Sequence, residues 1–173
     1  MRFMVAFSFI TSTLFALSQK QIDTIQAIRD VARTIPDKNG ETYENTLSAI
    51  CLTESSGGRD MIGDFHKGTS VTKASLGAMQ IQAGTARFMA RTYEELAWVN
   101  DLSDFKIVNK LISDIKFSAT IAAYYMKWLN DYRKSYYSAV SGYNGGLSNW
   151  NYYKRVKKNM GVVRRLVKQG VIH

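Results

Sequence analysis

The chain has 173 residues, 46% of them hydrophobic, and a formal net charge of +9. That length suits one domain, and the apolar content is too high for a disordered chain. The single cysteine, Cys51, excludes an intrachain disulfide, and the single proline leaves helices to be ended by other means.

Residues 1–18 read as an export signal. Arg2 gives a positive start, Phe3 to Leu17 carry no charge, and Ala16-Leu17-Ser18 sets small residues before a cut after Ser18. The apolar run is short for a membrane-spanning helix, which needs about 20 residues, so an uncleaved N-terminal anchor is the lesser alternative. The remaining domain covers 19–173. A first helix is predicted over 20–34, with Ile22, Ile25 and Ala32 on one stripe. Pro36 to Gly40 make a turn.

Thr42 to Ser55 reads as a second helix, with Tyr43, Leu47, Ile50 and Cys51 on one face. Glu54 lies about three turns beyond Tyr43 and shares that face, just before Gly57-Gly58 stops the helix. Residues 57–76, rich in Gly, Ser, Thr and charge, form a loop or small irregular β element. Further helices are predicted from Thr85 through Arg91, Ser103 to Leu111, Asp114 to Asp131 and Ser135 to Tyr143. Gly145-Gly146 ends the last of these, and Ser148 caps a final basic helix. The fold is therefore expected to be mainly α, one helical domain with a small β or loop element.

Charge is uneven. No acidic residue follows Asp131, whereas that tail carries nine cations, from Arg133 and Lys134 to Arg165 and Lys168. A basic end attracts polyanions. For an exported chain these are cell-wall polymers or a membrane surface, and the export signal argues against nucleic acid. A solvated helix face is the plainer reading.

The candidates for chemistry are few. His66 has only the distant His173 as a partner, and no His/Cys/Asp group has metal-ligand spacing, so neither metal nor cofactor is expected. Cys51 reads as a small core residue. Gly57-Gly58 lacks the rest of a phosphate-binding loop, and Ser55 and Ser56 lack a nucleophile-elbow context. Carboxyl chemistry remains. A carboxyl ending an apolar stripe is either a general acid, since burial favours its protonated form, or a buried glutamate paired with Arg or Lys.

Three segments together resemble the lytic transglycosylases with a lysozyme-like fold. They are Glu54-Ser55 at a helix end, Ser75-Leu76-Gly77-Ala78-Met79-Gln80-Ile81 followed by Thr85-Ala86, and Gly142-Tyr143-Asn144-Gly145-Gly146. The resemblance spans about residues 41–156 and is closest to compact members that accompany conjugation and secretion machines. Gly142 and Ala78 stand where the family usually has Ala and Leu, and the 57–75 loop is longer than common. A late family tyrosine matches Tyr153 poorly.

The resemblance implies a lysozyme-like (α+β, mainly α) domain whose β element borders a substrate groove. It implies cleavage of the MurNAc-GlcNAc bond of peptidoglycan strands with a 1,6-anhydro product. Glu54 would be the catalytic acid and then the base. Tyr143 would hydrogen-bond Glu54, with an aromatic core residue as its alternative, while Met79 and Gln80 line the groove, although a methionine there on general grounds reads as core more than contact. Ser75 and Asn144 would bind sugar or cap local structure. Trp98, Trp128 and Trp150 are further sugar-stacking candidates, with Trp128 beside the core stripe. The chain is expected to be an exported monomer, periplasmic or wall-associated. Two alternatives stand beside this one. A hydrolytic muramidase would need a second carboxylate such as Asp60 or Asp64. A non-catalytic wall-binding part of a secretion or conjugation apparatus would need none.

Overall fold

The computed structural model describes residues 17–63 and 70–173. The export signal, apart from Leu17 and Ser18, lies outside the described residues, as do Asp64, His66 and Lys67.

Among the described residues seven α-helices carry the fold: α1 (Gln19–Arg33), α2 (Glu44–Ser55), α3 (Ala83–Thr92), α4 (Asp104–Ser113), α5 (Ile115–Arg133), α6 (Tyr136–Tyr143) and α7 (Trp150–Lys168). Two-residue strands β1 (Ile62–Gly63) and β2 (Ser75–Leu76) pair antiparallel, with Ile62 opposite Leu76. This is the expected mainly helical, lysozyme-like arrangement with a small β element. Two 3-10 segments, Val71–Lys73 and Glu94–Asp101, complete it. The second falls where no element was predicted.

Local sequence sets the helix ends. Ser18 caps α1 by accepting from the Gln21 amide, and the Gln21 side chain accepts from the Ser18 amide in return. The cut expected after Ser18 would thus fall directly behind the residue that caps this helix. Ser103, Asp114 and Ser135 cap α4, α5 and α6 by accepting from the amides of Lys106, Phe117 and Ser138. Asn149, rather than the expected Ser148, caps α7. Its side chain accepts from the Tyr152 amide at 3.0 Å.

Helix α2 is the central element. It packs on α1 and α7, and buries Thr46, Leu47, Ser48, Ala49, Ile50, Cys51 and Ser55. It is therefore covered on most sides, where the sequence pattern suggested one apolar face. Small and hydroxylated residues make this possible. The Ser48 and Thr53 hydroxyls donate to carbonyls one turn back. Thr46 meets Tyr136 of α6 at 2.7 Å, and Thr53 accepts from Asn159 of α7 at 2.9 Å. Burial lifts the Cys51 thiol to about 12, which keeps it an unreactive core group. Among the described residues no helix is long and apolar enough to cross a membrane.

Candidate active site

The site begins where α2 ends. Glu54 is the penultimate residue of the helix and is half-buried. Ser56 turns left-handed to cap it at φ 54°, so the chain reverses one residue earlier than the Gly57-Gly58 pair suggested. The intervening Ser55 is fully buried. Its hydroxyl donates to the Ala78 carbonyl at 2.6 Å and accepts from the Gly58 amide at 2.9 Å. That one side chain latches the end of α2 to the 76–81 turn and so fixes Glu54 against it.

The 76–81 turn is itself tightly specified. Leu76 and Ile81 bridge it. Gly77 has φ 72°, and a Cβ there would run into the Leu111 carbonyl oxygen. Gln80 has φ 50°, a left-handed backbone that costs a non-glycine residue free energy. Its side-chain amide offsets this by donating to the Gly77 carbonyl at 2.9 Å and the Asp60 carbonyl at 3.2 Å.

An open cleft of about 230 Å³ lies above this floor, lined by Glu54, Ser75, Gln80, Ile81, Gln82, Thr85, Tyr125, Tyr143, Asn144 and Gly145. Of the expected site residues, Glu54, Ser75, Gln80, Tyr143 and Asn144 meet here. Met79 does not: its side chain is fully buried in the core below. Its carbonyl accepts the Tyr143 hydroxyl at 3.0 Å. Asn144 both borders the cleft and follows the last residue of α6, and its side-chain oxygen accepts from Asn149. Thr85 and Gly145 belong to the segments that carry the resemblance but were not named as site residues, and Gln82 and Tyr125 were not singled out from the sequence.

Two tyrosines bracket the carboxylate. Tyr143 is buried, and burial first, then the nearby Glu54 charge, push its pKa far above the ordinary value near 10. Tyr152 of α7 is 1% exposed, and burial and then Glu54 raise it strongly as well. The Tyr152 hydroxyl is close enough to feel the carboxylate, yet it reaches no partner at full hydrogen-bond geometry. Tyr153, the residue matched from sequence, faces away and packs with Tyr137 and Trp150. The two neighbours differ by about 100° around the helix, which is why only Tyr152 enters the site.

Glu54 is the only carboxylate lining the cleft among the described residues. Asp60 is exposed and paired with Arg59 at 3.3 Å. The bonds from Arg59 and from the Ser56 hydroxyl hold its carboxyl below the usual range. Trp98, Trp128 and Trp150 do not line the cleft. No group of three or more His, Cys, Asp or Glu side chains among the described residues could hold a metal ion. Among the described residues the arrangement offers one carboxyl, two protonated phenols and a polar, open wall, groups suited to proton transfer.

A family model, Transglycosylase SLT domain, matches residues 34–162. No curated protein and no solved structure matches the chain.

Proposed function

Because the chain belongs to the transglycosylase SLT family, whose members are lytic transglycosylases acting on cell-wall peptidoglycan, we propose that Glu54 cleaves the MurNAc-GlcNAc bond by itself. The observation that supports this is the single carboxylate lining the cleft among the described residues, bracketed by Tyr143 and Tyr152.

Glu54 arrives protonated and gives its proton to the bridging oxygen. The bond from that oxygen to the MurNAc anomeric carbon breaks, and GlcNAc leaves with a 4-hydroxyl. The Glu54 carboxylate then takes the proton of the MurNAc 6-hydroxyl, whose oxygen closes on the anomeric carbon. A 1,6-anhydro ring results, Glu54 is protonated again, and no water is consumed. The attack is intramolecular, so proximity replaces the second carboxylate used by most glycosidases. Tyr143 and Tyr152 keep their protons at neutral pH and act as positioning residues that orient Glu54. Ser75, Gln80 and Asn144 hold the sugars, and Met79 contributes through its carbonyl, which fixes Tyr143.

Substitution Glu54→Gln tests the assignment. It should abolish release of glycan fragments while leaving sedimentation with purified wall intact. Full lytic activity in that variant would remove Glu54 from the reaction. Loss of wall binding along with activity would point to a structural role for the side chain.

A further inference from the structure

Helix α5 carries an aromatic row that the cleavage reaction does not use. Tyr125, Trp128 and Tyr132 stand at helical spacing on one face. Tyr125 lines the cleft. Its ring lies within 10° of parallel to Trp128 at 6.1 Å, and Trp128 within 8° of Tyr132 at 4.9 Å. At such separations parallel rings are slipped and overlap only in part, so the row forms a staircase. The steps open outward: Tyr125 and Trp128 are half-buried and Tyr132 is 65% exposed. The staircase leaves the cleft along the helix axis for about 10 Å. Phe88 of α3 abuts Trp128 edge-on at 4.9 Å and holds the middle step in place.

Arg133 stands at the outer end. Its guanidinium lies 5.9 Å from the centre of the Tyr132 ring, and its charge reaches Tyr125. The side chain passes close over Gly142, where an added Cβ would sit 3.5 Å from Nε and 2.8 Å from Leu129. The glycine that replaces the family's usual alanine thus makes room for this packing. Nε is buried without a partner, and no ion pair engages Arg133 among the described residues.

We infer that this face of α5 continues the cleft as a binding surface for the glycan strand beyond the sugars at the cut. The rings take the apolar faces of the aminosugars, and Arg133 takes a carboxylate of the attached peptide. Three properties favour this occupant over an unspecified partner. The surface shares Tyr125 with the cleft. It joins aromatic rings to an unpaired guanidinium, the residue types that dominate polar interfaces. A guanidinium fork also matches a carboxylate. The inference rests on the proposed reading of the cleft as a glycan site.

The test uses the full chain carrying Glu54→Gln, so that strands bind without being cut, and measures affinity for purified peptidoglycan strands with and without their peptides. Adding Tyr132→Ser should weaken binding to both about fivefold, the scale of one interface aromatic. Tyr132→Trp should restore it. Adding Arg133→Gln should weaken binding only to strands that keep their peptides. Phe105→Ser removes another exposed aromatic, 72% exposed on α4, and should change neither. In the cleaving enzyme, Tyr132→Ser should raise KM on long strands more than it lowers kcat. Unchanged affinity in Tyr132→Ser, or no strand binding by the parent, overturns the surface. An Arg133 effect equal on both substrates overturns its peptide role. A parent that binds strands through this face yet yields no cleavage overturns the reaction and leaves the surface standing.

Discussion

Glu54, Tyr143 and Tyr152 come from three different helices, and their meeting places a carboxyl between two phenols that hold their protons. Raised tyrosine pKa values are a statement about stability. The folded state keeps the proton where the unfolded chain, with tyrosines near 10, releases it. The stability that these residues contribute is therefore complete below about pH 10 and is lost as pH rises toward the folded values. Tyr43, Tyr143 and Tyr152 all shift upward, so urea midpoints should fall steeply above pH 10. Tyr152→Phe should flatten part of that decline. At neutral pH the same variant should be as stable as the parent or slightly more so, because it removes a buried hydroxyl without a full partner. Its kcat should nevertheless drop, about tenfold or about 1.4 kcal/mol, because the phenol next to Glu54 helps to orient that carboxyl. Equal kcat in the two proteins would make Tyr152 a core residue and nothing more.

The 76–81 turn and the end of α2 act as one element, joined by Ser55. Here the most demanding position is Gly77, whose backbone is left-handed and whose missing Cβ clears the Leu111 carbonyl. Leu111 is backbone at that contact, so it has no rotamer by which to yield. Gly77→Ala should cost about 2–4 kcal/mol from strain and overpacking combined and lower activity by displacing Gln80 and the Met79 carbonyl. A thermal melt that shifts by less than a degree would show that the turn tolerates a side chain. Much at this scale was legible in the sequence. Periodicity located the helices, with ends correct to a few residues, because apolar spacing and cap residues agree there. The Glu54 position came from a helix stop and three short segments in order. What was not legible depends on rotation or on contact across the fold. Tyr152 and Tyr153 are interchangeable until the register of α7 is known. Met79 is placed in the groove by the resemblance and in the core by its residue type, and only the reversal of the turn, which buries it, decides between them. Ser55 looks like an ordinary helical serine, since its partners, Ala78 and Gly58, lie across a turn that only the fold closes.

Across the whole molecule the charge is segregated. Helix α7 carries Lys154, Arg155, Lys157, Lys158, Arg164, Arg165 and Lys168, all exposed and with no acidic residue beside them. Among the described residues none of the seven belongs to an ion pair. The apolar side of α7 is occupied by α2, which leaves the cations as the face presented outward. Attraction between that face and anionic wall polymer acts over about 10 Å at 0.1 M salt and shrinks as salt rises. Sedimentation with purified wall should accordingly weaken several-fold as salt is raised, and a charge-reversed α7 should lose that dependence. Binding indifferent to salt would mean that the cations are only solvated.

The central claim is that one carboxyl, Glu54, opens the glycan with the substrate's own hydroxyl in place of water. Mass spectrometry of peptidoglycan digested by the protein reads this directly. The expected result is a series of fragments ending in 1,6-anhydroMurNAc, absent from digests with Glu54→Gln. Fragments ending in reducing MurNAc, one water heavier, would contradict it and call for a second carboxylate outside the cleft lining described above.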